Sequence, residues 1–129
     1  KWTLINNYGD KSLMRNILAF ELSHRLQAPY TVWCQPVDVI MNGEYQGNYQ
    51  LCDQITIDPK RMNITEMEDT DIEYPYITGG YLVEVDAYAN QEPSQSWFTS
   101  NRGNPVTIQS PDENDIVPAQ YNYIKSYFN

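Results

Sequence analysis

Apolar and polar residues alternate most clearly on either side of Asn42-Gly43, within the stretch Tyr30 to Ile57. Asn-Gly between two β-rich runs predicts a hairpin, because both residues tolerate the positive φ of a tight connection. A plain two-residue turn sets Met41 against Glu44 and mixes apolar and polar side chains on both faces. One extra residue, in the loop or as a bulge, sets Met41 against Tyr45, Val37 against Tyr49 and Gln35 against Leu51, giving one consistent apolar face. We prefer the second register. It places Cys34 opposite Cys52 on the other face, where Asp38, Gln46, Asn48 and Gln50 suggest solvent or a cleft.

Before the hairpin, Trp2 to Asn6 reads as a strand. Asp10 or Ser12 then offers an N-cap for a helix running to about Leu26, with Pro29 beyond its end. Leu13, Ile17 and Phe20 form one column of its expected buried face, and Met14, Leu18 and Leu22 form the other. Glu21 falls between the columns. A carboxylate there needs a cation or several donors: either it pairs with Arg15 or Arg25, or it orients a Lys or Arg from a neighbouring strand. His24, the only histidine, lies beside the same stripe with no nucleophile at catalytic spacing, so it reads as a structural or rim histidine.

After the hairpin, Asp58-Pro59-Lys60-Arg61 reads as a turn and Met62 to Thr65 as a short strand. Asn63-Ile64-Thr65 matches the glycosylation sequon. Glu66 to Glu73 is dense in acids but lacks the spacing of a calcium loop, which favours a solvated segment. Gly79-Gly80 opens a strand, Tyr81 to Tyr88, that puts Tyr81, Val83 and Val85 on one face and Leu82, Glu84 and Asp86 on the other. Carboxylates two apart on one face suit either a shared cation or plain exposure. Trp97 to Thr99 and Val106 to Ile108 are further strands. From Pro118, the spacing of Tyr121, Ile124, Tyr127 and Phe128 predicts a final helix.

The pattern predicts an α+β fold: a twisted, mainly antiparallel sheet with one helix packed on it and a C-terminal helix, in one domain spanning 1–129. A formal charge of −9 over 129 residues argues against unaided binding to nucleic acid or to an anionic membrane. No apolar run approaches the ~20 residues of a membrane span. The count of two cysteines fits an oxidised pair or two buried free thiols; the register makes a cross-strand disulfide geometrically possible, but strands often hold such pairs slightly too far apart, which favours the free thiols. Eleven tyrosines and three tryptophans suit a binding surface as well as a β-rich core. The chain opens on Lys1-Trp2 inside a strand and stops with the last helix still running, so it reads as a fragment. No P-loop, Gly-x-Gly-x-x-Gly, His-Glu-x-x-His or Cys-x-x-Cys motif is present.

Ordered blocks carry a more specific signal. They are Lys1-Trp2 through Leu4, Asp10 to Asn16 with Ala19 to Leu22, Val37 to Tyr49, Leu51 to Ile55, Arg61 to Ile64, Gly79 to Asp86, and Pro111-Asp112. In this order the chain resembles the CotH kinase family, the spore coat protein H-like atypical protein kinases. The resemblance implies a bacterial, extracytoplasmic transferase, with this chain as the sheet-rich part, like a protein-kinase N-lobe, of a larger kinase-like domain. It implies an ATP cleft in which Glu21, Asp53 (where the family usually has Glu), Glu84 and Asp86 bind cofactor. ATP with Mg or Mn would serve the full-length protein, with none expected in the fragment. The implied partners are the remaining C-terminal lobe and a protein acceptor phosphorylated on Ser or Thr. Phosphoryl transfer needs a phosphate-binding cation, metal ligands and an aspartate that positions the nucleophile. The resemblance places those motifs upstream of Lys1 and beyond Asn129, so no catalytic residue is expected here. Gln109 departs from the Lys common in relatives. The alternative reading is a non-catalytic extracytoplasmic module that binds protein or glycan.

Overall fold

The computed structural model describes residues 1–129, which form two compact units, Lys1–Met62 and Asn63–Asn129. The class is α+β as expected. The strands, however, divide into two three-stranded antiparallel sheets, where the sequence suggests one.

In the first unit, β1 (Trp2–Asn6), β2 (Cys34–Met41) and β3 (Glu44–Asp53) make a sheet in the order β1-β3-β2, with helix α1 (Arg15–Arg25) between β1 and β2 in sequence. The hairpin keeps the preferred register over most of its length: Val37 faces Tyr49, Gln35 faces Leu51 and Cys34 faces Cys52. At the tip it differs. Asn42 and Gly43 both have positive φ and form a tight two-residue turn, so Met41 faces Glu44. The extra residue is absorbed one step inward, where the pairing shifts between Val39 and Ile40 and Gly47 takes a φ of +113°. That is a β-bulge, and glycine is the residue whose backbone takes this angle without strain.

One expectation for this sheet is corrected. The face carrying Cys52 meets solvent only in part: Asp38 and Gln46 are exposed, whereas Cys52 is 2% exposed and Gln50 1%. The buried pair sits on the central strand β3, where Gln50 lies between Ile5 of β1 and Pro36 of β2.

Helix α1 starts at Arg15, later than the sequence suggests. A turn comes first: the Leu13 amide donates to the Asp10 carbonyl, and Leu13 takes a left-handed φ of 56°. Asp10 still ties the start of the helix, because its Oδ2 accepts from the amides of Met14 (3.1 Å) and Arg15 (2.8 Å). At the other end, Gln27 and Ala28 donate to the carbonyls of His24 and Ser23 with Gln27 left-handed, which closes the helix in a Schellman motif. The helix lies against β2 and buries no residue completely. Ile17 and Phe20 are half-buried, whereas Met14, Leu18 and Leu22 are exposed. Of the two expected buried columns, only the one containing Ile17 and Phe20 turns inward.

The second unit holds the larger apolar core. Its sheet, ordered β4-β6-β5, consists of β4 (Leu82–Val85), β5 (Trp97–Thr99) and β6 (Pro105–Ser110). Phe98, Val106 and Ile108 pack with Ile124 of helix α2 (Pro118–Tyr127), and Tyr81, Val83, Ile116, Tyr121 and Phe128 surround them. Pro118 sits in the first turn of α2, as its fixed φ and missing donor favour. The expected strand at Met62 to Thr65 reduces to a single bridge between Ile57 and Met62. No helix is long and apolar enough to cross a membrane.

Gln120 of α2 is wholly buried and organises the acidic segment. Its Nε2 donates to the carbonyls of Glu68 (2.7 Å) and Asp71 (3.3 Å), and its Oε1 accepts from the Val117 amide. Met67 packs beneath the segment while Glu66, Glu68, Asp69 and Glu73 face solvent. Two residues before β4, Gly80 takes a φ of +80°, and the Thr65 carbonyl oxygen occupies the place a Cβ would need.

Candidate functional site

The end of β3 is where the first unit gathers charge. Pairing with β1 brings Trp2 opposite Asp53, which carries Lys1 to the exit of the central strand. The chain then loops through Gln54 to Met62 and returns Arg61 to the same place. Arg61 Nη2 donates to the Lys1 carbonyl at 2.7 Å, its Nη1 donates to the Gln54 carbonyl at 3.3 Å, and Nη2 lies 3.7 Å from Asp53 Oδ1. The ion pair is largely shielded, with the two side chains 18% and 20% exposed. Tyr30 sits near it, its hydroxyl buried without a partner. Burial, and then the charge of Asp53, push its phenol pKa up.

Beside this clamp lies an open pocket of about 440 Å³ lined by Lys1, Gln54, Thr56, Ile57, Asp58, Lys60 and Arg61. Asp58 is partly committed, since its Oδ1 accepts from the Lys60 amide at 2.8 Å. Three of the chain's eight basic residues line this one pocket. In a chain of net charge −9 that concentration suits an anion, because clustered cations focus the local field. The sequence shows Lys60-Arg61 only as part of a turn. Lys1 joins them through strand pairing between residues more than fifty positions apart, which no local pattern reveals.

Of the four acids expected to bind cofactor, Glu21 and Asp53 belong to the first unit, each with its own partner, and Glu84 and Asp86 to the second. Glu21 is exposed on α1 and accepts a hydrogen bond from Arg25 Nε at 2.6 Å, one helical turn away. That bond and the guanidinium charge lower its pKa. The expectation that Glu21 turns into a hollow between helix and sheet is therefore corrected: the apolar column beside it is itself exposed, so the carboxylate reaches the nearest cation in solvent. His24 is exposed on the same helix.

Asp53 stands at the exit of β3, held by Arg61. In the second unit, Glu84 is exposed on β4 and accepts from Gln109 Nε2 of β6 at 3.1 Å. Asp86 lies just past the end of β4, and its Oδ1 accepts from the Tyr88 amide at 2.9 Å, so it caps a turn instead of sharing a strand face with Glu84. No three His, Cys, Asp or Glu side chains come together in a set that would hold a metal ion.

No curated protein and no solved structure matches the chain. A family model does: that of the CotH kinase protein family matches residues 1–129, from end to end. The chain therefore belongs to the CotH kinase protein family.

Proposed function

We propose that this chain is the N-lobe-like, sheet-rich part of a CotH-type atypical protein kinase and forms one wall of an ATP cleft. The whole protein would transfer phosphate to Ser or Thr of a protein acceptor outside the cytoplasm, and the chain alone would be inactive. The observation that carries the reading is the family match over residues 1–129. The cationic pocket at the end of β3 supports it. ATP, when bound, supplies the phosphoryl group, and its phosphates are the kind of anion that Lys1 and Lys60 would attract.

In this reading Arg61 does not meet the nucleotide head-on. Its donors are committed to Lys1, Gln54 and Asp53, so it fixes the loop that presents Lys60. Asp53 is then a positioning residue acting through Arg61. Glu21 is paired with Arg25 at the surface, so this reading assigns it no contact with the nucleotide. The acids present do not fit a Mg or Mn site, since no three of them come together.

Titration of the chain with ATP by calorimetry tests the pocket. ATP should bind more tightly than adenosine, and Lys60→Ala should weaken it by about 10-fold, the size of one charge-assisted contact. Equal binding of ATP and adenosine, or an unchanged affinity in Lys60→Ala, removes the pocket from the proposal. Full-length protein with ATP, Mg or Mn and a serine-rich acceptor tests the kinase itself through phosphate incorporation. Acceptor or glycan binding without turnover would instead favour a non-catalytic module, in keeping with exposed aromatics such as Tyr8, Tyr45, Tyr74 and Tyr88.

A further inference from the structure

We propose that Cys34 and Cys52 form a cross-strand disulfide that locks the open end of the β2–β3 hairpin, made by exchange with a small-molecule disulfide of the oxidised-glutathione class. The two residues are direct partners across the strands. Their hydrogen-bonding environment decides whether a bond can close. The Asp53 amide donates to the Trp33 carbonyl at 3.0 Å, so the bonded pair lies one step outward and Cys34–Cys52 is a non-hydrogen-bonded pair. Such pairs bring Cα atoms to about 4.5 Å with the side chains at their closest. That separation falls inside the range of roughly 4.4–6.8 Å found across disulfides. Bonded pairs sit about 1 Å farther apart, with side chains less well directed.

Both residues are free thiols in this structure, and they are unequal. Cys52 is buried and its Sγ donates to the Gln50 carbonyl at 3.7 Å. Burial first, then the nearby Cys34 and Asp53, push its pKa up. Cys34 is half-exposed and is the thiol a reagent can reach. Its thiolate attacks one sulfur of the small disulfide, forming a mixed disulfide and releasing one small thiol. Cys52 then loses its proton to solvent and attacks the Cys34 sulfur, releasing the second small thiol. Two protein thiols are oxidised and one small disulfide is reduced to two thiols, so atoms and electrons balance. The bond would form whether or not the chain handles nucleotide, and it would fix the strand end from which Asp53 projects.

The experiment equilibrates the folded chain in buffers of oxidised and reduced glutathione, traps free thiols by alkylation and maps the products by mass spectrometry without reduction. The expected product is a monomer lighter by two hydrogen atoms, with the Cys34 and Cys52 peptides linked, melting roughly 5–10 °C above the reduced form. Two alkylatable thiols at every ratio, a glutathione adduct persisting on Cys34, or a cross-linked dimer would each overturn the proposal. Cys34→Ser, at the half-exposed position, should abolish the oxidation-dependent rise in melting temperature. If the variant does not fold, the peptide map of the parent chain decides alone.

Discussion

Gln120 shows how much one neutral side chain can organise. Fully buried, it answers two loop carbonyls with its amide nitrogen and the Val117 amide with its oxygen. Truncating it would leave the Asp71 carbonyl and the Val117 amide without partners and the Glu68 carbonyl with the Asp71 amide alone, and each orphaned buried group costs about 1–3 kcal/mol. Water entering the vacated space offsets part of that. Gln120→Ala should therefore destabilise the second unit by about 2–3 kcal/mol, read as a lower midpoint in urea with an unchanged slope. The acidic segment should also become more protease-sensitive. An unchanged midpoint would mean that the segment holds its shape without α2. Nothing in the sequence marks this residue, because an amide in a helix of tyrosines has the appearance of a surface position until the loop it receives is known.

At the scale of elements, the start of α1 is held by a single carboxylate. Asp10 accepts from the Ser12 hydroxyl and from the amides of Ser12, Met14 and Arg15, and these bonds, the Ser12 hydroxyl first, lower its pKa to about 2 from an ordinary 3.8. A depressed folded-state pKa means the carboxylate's contribution is complete above the unfolded value and is lost as pH falls through the folded one. The stability difference between the parent chain and Asp10→Ala should thus be constant above about pH 5 and shrink between about pH 4 and 2. A difference that stays level through that range would sink the assignment.

Sequence reasoning found Asp10 as a capping candidate but placed the helix directly after it, since nothing announces a left-handed Leu13. The hairpin was legible almost whole: Asn42-Gly43 marks its turn, and facial consistency requires the extra residue that Gly47 absorbs. Glu21 was legible as an anomaly but not in its resolution. Periodicity gives α1 two apolar columns, and only the packing shows that Leu18 and Leu22 stay exposed, leaving Glu21 free to meet Arg25. The pocket at the end of β3 was illegible because it depends on which strand pairs with Lys1.

Over the whole chain, charge and core are unevenly shared. The first unit carries six basic and six acidic side chains; the second carries two basic and eleven acidic, and so holds the entire net charge of −9. The second unit also has the better core, with Phe98, Val106, Ile108 and Ile124 buried together, whereas Cys52 is the one hydrophobic side chain fully buried in the first. The two effects oppose each other. Each buried apolar side chain contributes about 1.5–3 kcal/mol, while exposed carboxylates farther apart than the Debye length of about 8 Å in physiological salt barely repel. Burial should win there. Amides of Val106, Ile108 and Ile124 should exchange with deuterium at least about 10-fold more slowly than those of Leu51 and Cys52, each tenfold reflecting about 1.4 kcal/mol of opening free energy. At ionic strength near 0.01 M, where the screening length is about 30 Å, repulsion within the second unit reaches across it and the gap should narrow. If the β2–β3 hairpin outlasted the β6–α2 core at physiological salt, burial would not be what ranks the two units.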